Sequence, residues 1–252
     1  MHVEKSSGQE LIKAVREAGA RLTSLWPGGS PTEKIEIIKK EDGSPVTSAD
    51  FESNSILTTA LTKLFPNDLI LSEEGPKIEI PKKGRIWIID PLDGTRRFIE
   101  GQDDFCILVS LMVNGVPEEG IVYFPISNLF FASFDLPTIK NCKLSKEIRS
   151  GRVYVSGPNL KDQSYSHSGA LHTGAAFLKL IEGEIDAFAL SLVKPSEWDI
   201  AAPHAVISKI GGRVGQINGQ PLDYGGAEWS KQLAVASSIE IHDGVLDLFA
   251  GE

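Results

Sequence analysis

The stretch Trp87-Ile88-Ile89-Asp90-Pro91-Leu92-Asp93-Gly94-Thr95 sets two carboxylates three residues apart at the end of an apolar strand. Charge delivered by a buried strand is costly unless it is paired or metal-bound. Pro91 stiffens the exit, and Gly94 and Thr95 offer backbone N–H groups at an expected helix start, a seat suited to phosphate. Carboxylates beside an anion seat make chemical sense when hard cations lie between them. Mg²⁺ takes oxygen ligands and accepts a substrate phosphate among them. Three other acidic segments accompany this one: Glu73-Glu74 behind the apolar run 69–71, Asp199 in Glu197-Trp198-Asp199-Ile200-Ala201-Ala202, and Asp50 in Ser44-Pro45-Val46-Thr47-Ser48-Ala49-Asp50. Taken singly, each has a plainer meaning, as a solvated turn or as an acid complementing a helix dipole.

In order and spacing the four pieces resemble the Mg²⁺-dependent, lithium-sensitive inositol monophosphatase superfamily, and the likeness runs over about residues 43–224. The combination of Asp-Pro-Leu-Asp-Gly-Thr with Trp-Asp and small residues is a specific signal, whereas either part alone would be moderate. The resemblance implies that Glu73, Asp90 and the Leu92 carbonyl hold a first Mg²⁺, and Asp90, Asp93 and Asp199 a second, with two or three ions per site. It implies that Asp50 and Thr95 orient and deprotonate the attacking water, with Glu73 counted among the catalytic residues, and that the Gly94 and Thr95 N–H groups receive the phosphate. The implied fold is mixed α+β, a layered α-β-α-β-α sandwich of the sugar-phosphatase type. Two cations close together can neutralise a phosphate monoester and acidify a water. No Ser-His or Cys-His nucleophile is needed, and none is evident.

Within the superfamily, Ser44–Thr47, the Arg96-Arg97-Phe98-Ile99 run, Glu197–Asp199 and Pro221-Leu222-Asp223-Tyr224 look most like the 3′(2′),5′-bisphosphate nucleotidase branch. The implied reaction is hydrolysis of adenosine 3′,5′-bisphosphate to AMP and phosphate. Two departures bear on the substrate: Ser168-Gly169-Ala170-Leu171-His172 stands where that branch carries a lysine, and Phe105-Cys106 replaces a phenylalanine-threonine pair. Inositol-1-monophosphatase and histidinol-phosphate phosphatase activities are the alternatives; they need a polyol-binding and an amine-binding acid respectively, and Glu197 could serve either. A non-catalytic metal-dependent binding protein is the rival from another class. Substrate contacts are expected from Gly94, Thr95, Arg96, His172 and Glu197. Lys194 borders Asp199, Arg96 and Arg97 also read as surface charges, and His172 also reads as a core histidine on an apolar helix.

Around these residues the pattern predicts helices over 9–26, from Thr47 or Ser48 to Pro66, over 170–182, 199–210 and 245–249. Strands are expected over 34–40, 86–89, 105–113, 120–124, 129–134, 153–156, 185–190 and 232–236, with a hairpin turn at Asp42-Gly43 and a loop over 75–85. The polar connection 136–151 divides one phosphatase domain into a metal- and phosphate-binding half (1–150) and a half supplying Asp199 (151–252). With 252 residues, the chain can bury roughly three quarters of its unfolded surface without staples. Its formal charge of −9 argues against a nucleic-acid polymer as partner. Two cysteines without metal spacing and no run of ~18 apolar residues point to a cytoplasmic protein that binds no membrane. The partner expected is a small phosphorylated metabolite; assembly is left open, a homodimer included.

Overall fold

Leu11, Val15, Ala18, Leu22 and Leu25 recur at three- and four-residue intervals and form the buried face of α1 (Lys5–Leu25). The structure, a computed structural model, describes residues 3–31, 33–40 and 43–249. Two short antiparallel strands follow, β1 (Ile37–Lys39) and β2 (Pro45–Thr47). Thr47 then caps α2 (Ser48–Leu64), and Asp50 closes a capping box by accepting the Thr47 backbone N–H. Ala49, Leu57 and Leu61 of α2 meet α1 in one apolar cluster.

Both helices cover one face of a five-stranded sheet. Its strands are β3 (Leu69–Ser72), β4 (Arg85–Asp93), β5 (Cys106–Val113), β6 (Val116–Phe124) and β7 (Leu129–Ala132), in that spatial order. Only the β3–β4 pair is parallel. Successive side chains of a strand point to opposite faces. On β4 this sends Trp87 and Ile89 towards α1 and α2, and Ile86 and Ile88 to the other side. That other side packs on α5 (Thr173–Ile181) and α6 (Glu197–Lys209), which are also covered by a second sheet. Here β8 (Val153–Ser156), β9 (Ala187–Ser191), β10 (Gly212–Gln216) and β11 (Leu233–Ser238) lie in the order β10-β11-β9-β8. Finally α7 (His242–Asp247) packs Val245 on Val153, Ala187, Ala189 and Val235. The layers run α-β-α-β-α, as the sequence leads one to expect. Leu11, Leu57, Val109 and Val206 are wholly buried, and cutting such a Leu to Ala costs about 2–5 kcal/mol.

Several boundaries differ from the sequence reading. The 34–40 strand shrinks to β1, and 129–134 stops at Ala132. The last helix begins at His242 rather than Val245. The 170–182 helix starts only at Thr173, so His172 is its N-cap and not a residue of an apolar helix face. Strand β10 was not expected, because Gly-Arg-Val-Gly-Gln has weak strand propensity; pairing with β11 makes it one. The 136–151 connection contains a short helix, α4 (Leu136–Ile139), and is anchored where the Arg149 and Arg152 guanidiniums meet the fully buried Asp186. Of the expected Asp42-Gly43 turn, Asp42 lies outside the described residues; Gly43 adopts φ +82° and donates to the Lys40 carbonyl.

Candidate active site

Asp90 and Asp93 are an odd number of residues apart, so a regular strand would aim them at opposite faces. A bulge in β4 prevents this. Asp90 pairs with Leu108 and Asp93 with Cys106, so three steps along β4 match two along β5. The extra residue re-aims the strand, and Pro91 falls in the bulge, where a missing N–H does least harm. The Pro91 carbonyl accepts the Ser53 hydroxyl at 2.8 Å, and the Leu92 N–H donates to Asp90 Oδ1 at 2.9 Å. On the far side of the cleft, Asp199 sits in the first turn of α6, its Oδ2 accepting the Ser196 N–H at 2.6 Å. One carboxylate oxygen from each of Asp90, Asp93 and Asp199 lies within 4.8 Å of the others.

Three anions so placed repel by about 3.5 kcal/mol per pair at an effective dielectric of 20. Burial, reinforced by the charges of Glu73, Asp93 and Asp199, pushes the Asp90 carboxyl well above the ordinary range. Asp199 is likewise raised, by burial and then by Asp93. Asp93 goes the other way: burial opposes its charge, but the His172 ring and the Gly174 N–H hold it below the usual carboxylate value. An all-oxygen trio with Asp90 and Asp93 buried and Asp199 half-buried fits a hard divalent cation.

Beside the trio, the Thr95 hydroxyl is 3.1 Å from Asp50 Oδ1 and 3.1 Å from the Leu92 carbonyl. Thr95 opens α3 (Thr95–Ile99) behind Gly94, whose φ of +89° needs glycine. Asp50 is 1% exposed, and burial raises its pKa despite the hydrogen bonds from Thr47 and Thr95. Glu73 follows β3 and donates its N–H to the Ile89 carbonyl. Its Oε1 is 2.6 Å from the Lys40 ammonium, which also reaches Glu74 Oε1 at 2.6 Å. Burial works against that ammonium, yet its bonds to Glu73 and Glu74 raise its pKa.

A cavity of about 510 Å³ opens next to the trio, lined by Asp93, His172, Thr173, Ser191, Lys194 and Asp199 among others. Of the substrate contacts expected from sequence, His172 reaches it, while Arg96 is exposed on α3 and does not line it. Glu197 is absent from the lining too; its Oε1 accepts the Gly225 N–H at 3.3 Å. Lys40, Asp104 and Gly174 join the site without having been expected. A lone lysine before a turn carries no signal in one sequence, Asp104 meets His172 most closely through its carbonyl, and the approach that requires glycine at 174 shows only in the fold.

The sequence model of the inositol monophosphatase family matches residues 5–249. The chain belongs to that family. It is a phosphatase of the inositol monophosphatase family, whose members are metal-dependent and act on small phosphorylated substrates. It is 30% identical over 234 residues to the 3′(2′),5′-bisphosphate nucleotidase CysQ of Escherichia coli K12, covering 85% of this chain and 92% of that one. To the inositol-1-monophosphatase of Bacillus subtilis it is 29% identical, over 84% of this chain and 86% of the relative. Among solved structures, the extragenic suppressor protein suhB of Bartonella henselae superposes with a TM-score of 0.75 at 22% identity, covering 97% and 98% of the two chains. Among the described residues no helix is long and apolar enough to cross a membrane.

Proposed function

We propose that this family member is a Mg²⁺-dependent phosphomonoesterase whose preferred substrate is adenosine 3′,5′-bisphosphate, released as AMP and phosphate. The observation that carries the reading is the convergence of Asp90, Asp93 and Asp199 within 4.8 Å beside the Thr95–Asp50 pair. Divalent cations held by Asp90, Asp93 and Asp199, with Glu73 and the Leu92 carbonyl as further oxygen donors, would neutralise the ester and acidify a water. The protein's own groups do the rest. Thr95 and Gly94 N–H groups orient the phosphate. The Thr95 hydroxyl, itself not basic, takes the water's proton as it yields its own to Asp50. Burial gives Asp50 the proton affinity for that task. Water oxygen bonds to phosphorus in line, the ester P–O bond breaks, the departing alcohol oxygen takes a proton from solvent, and Asp50 returns its own proton to solvent afterwards.

The choice of substrate is supported by the cavity lining. Apart from Asp93 and Asp199 the lining holds no acid, which a polyol or an amine would call for, and it does hold Lys194. An ammonium at that edge suits a second phosphate that stays on the nucleoside. The likeness to CysQ points the same way, and the likeness to an inositol-1-monophosphatase keeps that activity as the second reading. Comparing kcat/KM for the bisphosphate, inositol 1-phosphate and histidinol phosphate at fixed Mg²⁺ tests it. A preference below about tenfold, ~1.4 kcal/mol in transition-state binding, overturns the nucleotidase assignment. Loss of turnover in chelator, its return with Mg²⁺, and inhibition by Li⁺ at limiting Mg²⁺ are expected.

A further inference from the structure

Three donors converge on one oxygen of Asp93. Its Oδ2 lies 2.8 Å from His172 Nδ1, 2.9 Å from the Gly174 N–H and 3.5 Å from the Cys106 thiol. The other His172 nitrogen, Nε2, is 2.7 Å from the Asp104 carbonyl. Both nitrogens therefore face oxygen atoms, and neither is left over. A ring engaged at both ends has no nitrogen left for a substrate, although it borders the cavity.

The surroundings hold the ring in this pose. A Cβ on Gly174 would come within 2.4 Å of the Cys106 sulfur and 2.7 Å of Asp93 Oδ2, so only glycine lets this N–H approach. The segment before α5 is tied down by Arg97, which donates to the Ala170 carbonyl at 3.0 Å and pairs with Asp104 at 3.4 Å. The Tyr154 hydroxyl donates to the Leu171 carbonyl at 2.8 Å. Asp93 and Asp104 belong to the first sheet's side of the cleft, and His172 and Gly174 to the second's.

We propose that His172 is a positioning residue for Asp93: by occupying Oδ2 from across the cleft, it leaves Oδ1 alone to face a bound cation. The proposal rests on the reading that Asp90, Asp93 and Asp199 hold a divalent cation. Partners one step removed from a metal typically contribute ten- to a hundredfold to affinity. A substrate contact would act differently, through KM for the ester.

The test uses the full chain, with Mn²⁺ binding measured by calorimetry and kcat and KM measured at saturating Mg²⁺. The amide nitrogen of an asparagine overlays the imidazole Nδ1, whereas that of a glutamine overlays Nε2. His172→Ala and His172→Gln are expected to weaken Mn²⁺ binding about tenfold, and His172→Asn to stay within about threefold of the parent. KM is expected to move less than about twofold in all three. Unchanged or tighter Mn²⁺ binding in His172→Gln overturns the proposal, as does a raised KM with metal binding intact. If His172→Ala fails to fold, the Asn–Gln pair decides alone. Failure of the parent protein to bind Mn²⁺ overturns the underlying cation reading instead, and shows before any variant is made.

Discussion

The Lys40 ammonium rests 2.6 Å from Glu73 Oε1, so a protein cation already stands at a carboxylate assigned to metal binding. It holds Glu74 at the same distance, which pins the end of β1 to the turn after β3. A divalent ion at Glu73 must compete with this ammonium. Lys40→Met is therefore expected to tighten Mg²⁺ binding by roughly three- to tenfold (about 0.7–1.4 kcal/mol). In chelator the same change strands two half-buried acids and is expected to cost ~1 kcal/mol, about 2–4 °C in Tm for a chain of this size. Calorimetric titration and scanning calorimetry read the two effects separately.

Asp199→Asn separates stability from turnover. It removes one of three mutually repelling anions, so the cation-free protein is expected to melt higher than the parent. The cation loses a charged ligand, and kcat is expected to fall by roughly 10²-fold or more, ~3 kcal/mol of transition-state stabilisation. A lower melting point in chelator would show that Asp199 serves the fold chiefly as the cap of α6.

Stability should depend on pH in a direction set by these acids. Asp90 and Asp199 have folded pKa values above their unfolded ones. They cost nothing below about pH 4, and their destabilisation grows as pH rises through the unfolded value towards the folded one. His172 is also raised, since burial works against its charge but Asp93 and Asp104 together outweigh it, so its contribution is complete below about pH 6.5 and fades as pH passes its folded value. Asp93 is lowered, and its contribution is lost as pH falls through its folded value. In chelator, Tm is expected to peak in mildly acidic buffer and decline towards pH 8. Saturating Mg²⁺ should remove most of that decline.

Asp50→Asn keeps the shape of the capping carboxylate and removes the proton acceptor. Turnover is expected to drop by about 10²–10⁴ while Mn²⁺ affinity stays within about threefold, since Asp50 is outside the trio. Thr95→Val should lose turnover comparably and Thr95→Ser should retain most of it. Equal turnover in Thr95→Val and the parent would remove Thr95 from the proton path.

Much of this was legible in the sequence because the informative residues are local. The α2 cap follows from Thr47 and Asp50, the buried strand from residues 86–89, and Asp199 from its place at a helix start. Features set by register and by distant contacts were not. Nothing in Asp-Pro-Leu-Asp announces that β4 continues through the proline with a bulge, yet that bulge places both acids on one side. The place of His172 was not legible either, because a helix pattern over 170–182 cannot say where the helix begins. Three residues of that pattern are loop, and they carry the ring to Asp93. Glu197 looks suited to a substrate by proximity to Asp199, but residues two apart on a helix point about 200° apart, to nearly opposite sides.

Pro203 lies inside α6, four residues after Asp199. Lacking an N–H, it leaves the Asp199 carbonyl without the hydrogen bond that would tie the opening turn to the rest of the helix. Asp199 and Ser196 are joined to each other within that turn, so any shift of the turn is expected to carry both. Asp90 and Asp93 have no such freedom, being set by paired strands. A cation held as proposed by these three acids would have two stiff ligands and one compliant ligand. Exchanging Mg²⁺ for Ca²⁺ lengthens metal–oxygen distances from about 2.0–2.1 Å to 2.3–2.6 Å, and the opening turn of α6, rather than the sheet, is expected to take up that difference in ionic size.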